Sequence, residues 1–98
     1  MKHQPIARDE AETIGVKAVE FLFAEPTRTE RFVKLTGLKA GAVKRGLAEP
    51  EFLAGILDYL LADESLLFEF STFAHMPVTM AQQARRALAK PQTPDGGS

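Results

Sequence analysis

The stretch 52–62, Phe-Leu-Ala-Gly-Ile-Leu-Asp-Tyr-Leu-Leu-Ala, constrains this chain more than any other, because it is the most apolar run of helical length. At about 100° per residue, Phe52, Leu53, Ile56, Leu57, Tyr59, Leu60 and Leu61 cover more than half of a helix circumference. Only Glu51, Gly55, Asp58 and Ala62 share a narrow sector suited to water. A surface helix carries one apolar stripe, so a helix this apolar needs neighbours on two or three sides. The expectation is a buried rod around which the remaining pieces wrap.

Caps and prolines divide the rest. A first helix is expected over 9–24, with Asp9, Glu10 and Glu12 at the end where the helix dipole favours anions. Ile14, Ala18, Phe21 and Leu22 form its main stripe, with Val16, Val19 and Phe23 beside it. Glu25-Pro26 stops it, because the residue before proline is pushed out of helical geometry. Pro26 suits the first turn of a second helix ending near Thr36, where Gly37 can take a left-handed cap. Phe32 and Leu35 are expected inward on it. A weak third helix over 39–48 is anchored by Val43 and Leu47 and holds Gly41 and Gly46, each costing about 1 kcal/mol relative to Ala. Glu49-Pro50 opens the fourth helix, 50–62. Asp63 caps a fifth over 64–74, with Leu66, Leu67, Phe70 and Phe73 on one face. Pro77 opens a sixth over 78–89, with Val78, Ala81 and Leu88 as a thin stripe and Gln82, Gln83, Arg86 and Lys90 outward. Residues 1–8 read as a flexible lead-in, 9–90 as one helical domain and 91–98 as a disordered tail.

A shift of 38 positions places Ile14 on Phe52, Val19 on Leu57, Glu20 on Asp58 and Leu22 on Leu60. Phe32 then falls on Phe70, Leu35 on Phe73 and Gly37 on His75. Either a duplicated three-helix unit or shared helix grammar gives such a match. In both cases helices 9–24 and 50–62 are the paired centre. The expected fold is all-α: five or six short helices in one compact bundle, arranged as two similar three-helix halves.

At 98 residues the chain forms one domain able to bury a single core. It has no cysteine, which removes disulfides, thiolate nucleophiles and Cys-based zinc sites together and fits a reducing cytoplasm. The first ten residues meet acids where a secretory signal needs an apolar core, so no export signal is read there. Asp58 and Asp63 keep the apolar runs short of the roughly 20 residues that span a bilayer, and no membrane partner is expected.

The pieces Phe21-Leu-Phe-Ala-Glu-Pro26, Phe32-Val-Lys-Leu-Thr-Gly-Leu38, Glu49-Pro-Glu-Phe-Leu53 and Leu57-Asp-Tyr-Leu-Leu-Ala-Asp-Glu64 follow one another in a fairly specific order. In them, over about 14–73, the chain resembles a family of short bacterial helical proteins described only as a domain of unknown function. The resemblance implies an all-helical fold in a bacterial cytoplasm. It implies no activity, ligand or site residue.

Function must therefore be weighed from side chains. His3 and His75 are the only histidines, and neither His-Glu-x-x-His nor Glu-x-x-His spacing occurs. No catalytic group, cofactor or metal ligand is expected, and His75 reads as a helix-cap position. The matched carboxylates Glu20 and Asp58 would interest chemistry only if the two central helices brought them together; their helical phase favours the solvated sector. Charge is unevenly distributed. The segment 28–45 holds Arg28, Arg31, Lys34, Lys39, Lys44 and Arg45 against Glu30 alone, and 46–70 holds Glu49, Glu51, Asp58, Asp63, Glu64 and Glu69 with no base.

Two readings follow. In the first, a small non-enzymatic cytoplasmic interaction or adaptor domain meets an unidentified protein or a second copy of itself, with Arg28, Arg31, Lys34, Lys44, Arg45 and Phe68 as candidate contacts. Phe68 lies off the main stripe of its helix and is the candidate dimer anchor. In the second, 29–47 is a helix-turn-helix that sets the basic segment on nucleic acid, with Lys44 or Arg45 at a base edge. Against the second stand two glycines in the would-be recognition helix, Val33 where close packing prefers a small side chain, and the neighbouring acidic block.

Overall fold

Prolines and left-handed residues set most of the helix ends. The computed structural model describes residues 6–89; residues 1–5 of the expected lead-in, Lys90 and the tail 91–98 lie outside the described residues. Within them are six helices and no strand: α1 (Arg8–Phe23), α2 (Pro26–Thr36), α3 (Ala40–Gly46), α4 (Pro50–Leu61), α5 (Glu64–Ala74) and α6 (Val78–Ala89). The fold is an all-α bundle. Pro26 and Pro50 sit in the first turns of α2 and α4, where a missing N–H costs nothing. Asp63 caps α5 by accepting from the Leu66 N–H at 3.2 Å. Gly37 and His75, equivalent under the 38-residue shift, both adopt left-handed caps, at φ 76° and 56°. Glycine does so without penalty, whereas a side chain pays about 1–2 kcal/mol.

The last turn of α1 contains no base, and α2 supplies donors to it. Thr29 Oγ1 donates to the Leu22 carbonyl and Arg28 Nε to the Phe21 carbonyl, both at 3.0 Å. The Leu22 carbonyl is one that a helix end leaves to water, and the Phe21 carbonyl takes the Arg28 bond in addition to one from the Ala24 N–H at 3.2 Å. The two side-chain bonds also fix the corner between the two helices.

The paired centre is present but is not a pair. α1 and α4 pack together, and α6 packs more extensively against each of them than they do against each other. The thin stripe expected on α6 is buried at Ala81 and Leu88, with Ala84 added to it. Ala81, Ala84 and Leu88 are buried at i, i+3 and i+7, and the two alanines let its backbone approach both neighbours. α1 answers with its own row of small residues, the buried Ala11, Gly15 and Ala18. A Cβ added at Gly15 would lie 2.8 Å from Leu53 Cβ, so this glycine permits the contact with α4. Around this core Phe21 meets Phe70 at 5.6 Å, and Phe32 meets Tyr59 edge-on at 5.1 Å between ring centroids.

α3 lies at the margin, held by buried Val43 and by Gly46, where an added Cβ would fall 2.4 Å from the Phe52 ring. The third helices of the two halves are thus placed differently. Ile6, expected in the loose lead-in, is half-buried and packs on the core.

Two inward expectations fail. Leu35 is 66% exposed and Phe73 42%. Helical phase placed both toward the interior, yet α2 packs chiefly on α1, and its covered arc is confined to Phe32 with Arg28, Thr29 and Val33 half-buried beside it. Phe73 stays partly covered, with its ring 5.4 Å from that of Phe21.

Candidate functional site

The two charge blocks meet only in part. Arg28 is engaged inside the fold: besides its bond to the Phe21 carbonyl, its guanidinium stands 4.0 Å from the Phe21 ring centroid and 3.8 Å from Glu69 Oε1. It joins α1, α2 and α5 and is not an open contact. Asp58, from the acidic block, is bound by Arg85 of α6 through two parallel bonds of 2.5 and 2.9 Å. That fork brings α4 and α6 together and leaves Glu20 exposed elsewhere. Asp63 is occupied as the α5 cap.

What remains faces solvent. Arg31, Lys34, Lys39, Lys44 and Arg45 are all exposed. Among the described residues no carboxylate lies within 4 Å of any of them. Leu35 stands one helical turn beyond Arg31 on the same side of α2. On the other side of α2 runs an open groove with Phe23, Ala24, Pro26 and Val33 as its floor and Glu30 and Lys34 at its edge. Phe23 is half-buried there against Phe32, at 6.1 Å between centroids. α2 thus carries bases and uncovered apolar surface side by side.

Phe68, 67% exposed, lies on α5. It stands five residues, or about 140° of helix, from Phe73, so the two rings do not form one patch. Of the sequence-derived candidates, Arg31 and Lys34 share the α2 surface, Lys44 and Arg45 sit on α3, Phe68 is separate and Arg28 is internal.

Sequence reasoning missed a small polar cleft between α2 and α5. It measures about 150 Å3, and Thr27, Arg28 and Arg31 face Asp63, Ser65 and Glu69 across it, with Tyr59, Leu66 and Leu22 at its base. Burial pushes the Tyr59 phenol above its ordinary value; the nearby Arg31 charge opposes this and Asp63 adds to it. As the only tyrosine, placed in the most apolar helix, Tyr59 was the signal that could have marked this cleft.

Among the described residues no group of three or more His, Cys, Asp or Glu side chains is close enough to hold a metal ion, and no helix is long and apolar enough to cross a membrane. The family model described as "Protein of unknown function (DUF3572)" matches residues 8–91, a span that begins with α1 and takes in all six helices. The chain belongs to this family. No curated protein and no solved structure matches it. Membership carries no activity with it.

Proposed function

We propose that this chain is a small non-enzymatic interaction domain of the cytoplasm whose α2–α3 segment binds an acidic, amphipathic stretch of another protein. The observation that supports this best is the surplus left after the fold has made its internal ion pairs. Among the described residues Arg31, Lys34, Lys44 and Arg45 have no carboxylate within 4 Å, and α2 also carries uncovered apolar surface at Leu35 and along the groove. Bases alone would suit any polyanion. Bases flanking Leu35 and an apolar groove suit a helix that pairs acids with leucine-like anchors, because such a ligand neutralises the charges and buries the apolar area together.

The same unpaired bases favour a second reading. α2, the left-handed Gly37 and α3 make a helix-turn-helix outline, and Lys44 and Arg45 lie on the second helix. At seven residues, α3 gives little length to lay in a groove of DNA.

Fluorescence anisotropy with two probes at low salt separates the readings: an acidic amphipathic peptide of Glu and Leu, and a DNA duplex. The protein reading predicts that the peptide binds, with affinity falling about tenfold for Leu35→Ser and again for Arg31→Glu with Lys34→Glu. The nucleic-acid reading predicts duplex binding that drops steeply with salt, is weakened by Lys44→Glu with Arg45→Glu and ignores Leu35. If neither probe binds, both readings fall.

A further inference from the structure

The cleft between α2 and α5 holds polar groups that the fold positions and does not use. Arg28 and Glu69 face one another, and Asp63 gives one oxygen to the Leu66 N–H. Among the described residues, the Arg31 guanidinium, the Thr27, Ser65 and Tyr59 hydroxyls and the second Asp63 oxygen make no protein hydrogen bond. All of them border one space of about 150 Å3. A water's share of liquid volume is about 30 Å3, so the cleft suits a solute of amino-acid size.

Charge decides the class of ligand. Arg28 and Arg31 are balanced by Asp63 and Glu69. A simple anion would be drawn by the arginines and repelled by the carboxylates, and a simple cation would meet the reverse. A molecule carrying both signs satisfies both sides. Its carboxylate would lie toward Arg31 and the hydroxyl donors, its ammonium toward Asp63 and Glu69, and its carbon skeleton on Leu66. We propose that this cleft is a binding site for a small zwitterion of the α-amino-acid class. The site shares Arg31 with the proposed peptide-binding surface but none of the residues of the α2 groove, so Asp63→Asn tests it apart from any protein partner.

Calorimetric and 15N-HSQC titration of the full chain with L-alanine and L-leucine, beside the half-probes acetate and methylammonium, tests the assignment. At least one amino acid should bind at least about tenfold more tightly than either half-probe and shift the Tyr59 and Ser65 amides. Arg31→Gln should weaken it about tenfold with thermal stability unchanged, because Arg31 is exposed and, among the described residues, has no carboxylate within 4 Å. Asp63→Asn keeps the helix cap, since Asn caps as well as Asp, and should weaken binding by a similar factor. No binding on the order of 10 mM, acetate binding as tightly as the amino acids, or affinity indifferent to both substitutions would overturn the proposal.

Discussion

Residues that look alike in sequence have separate fates in the fold. Arg28 and Arg31 are one turn apart; Arg28 is held by a carbonyl, a ring and a carboxylate, while Arg31 is exposed and, among the described residues, makes no hydrogen bond or ion pair. Arg28→Ala should destabilise by roughly 1–3 kcal/mol in urea denaturation, because its bond to the Phe21 carbonyl, its contact with the Phe21 ring and its pairing with Glu69 are lost together, whereas Arg31→Ala should change stability by less than about 0.5 kcal/mol. His75→Gly should stabilise by about 1 kcal/mol in the same assay, since it relieves a left-handed side chain. Tyr59 gives a pH signature. Its folded-state pKa is raised, so the native state keeps a proton that the unfolded chain begins to lose near pH 10. The associated stability is complete below pH about 10 and is lost as pH rises through the folded value. Tyr59→Phe should flatten that alkaline decline in thermal melts taken across the range.

Helix ends and helix faces were unequally legible. Proline at the start, Asp63 as cap and Gly37 as stop mark boundaries by local chemistry, and the structure places all three in those roles. Phase likewise put Glu51, Gly55, Asp58 and Ala62 toward water, where they are. Phase does not reveal whether a neighbour covers a face, which is why Leu35 and Phe73 were misplaced. Nor does hydropathy register close approach. Ala81 and Ala84 look weak as core residues, yet their small size seats α6 between α1 and α4. The cleft groups come from α1, α2, α4 and α5 with the Asp63 cap, and no spacing along the chain joins them. Ala84→Leu should overpack this seam and cost about 1–3 kcal/mol, a loss readable as a lowered urea midpoint with unchanged slope. Gly15→Ala should act in the same direction through Leu53.

At the scale of the molecule, the large aliphatic side chains of α4 meet the small-residue rows of α1 and α6 to make the core, and α2 is attached through Arg28, Thr29 and Phe32 and α3 through Val43 and Gly46. Internal pairing takes Arg28, Asp58 and Asp63 out of the charge blocks and leaves the remaining bases around uncovered leucine and groove. Phe68 belongs to a different surface, so Phe68→Ser should reduce any self-association seen by sedimentation at high concentration and leave acidic-peptide binding unchanged. The most direct test of the account is a 15N-HSQC map of the chain titrated with the acidic amphipathic peptide at low salt. The account predicts shifts concentrated over 26–46, with α4 and α6 undisturbed. An unshifted spectrum, or shifts gathered around Phe68 on α5, would contradict it.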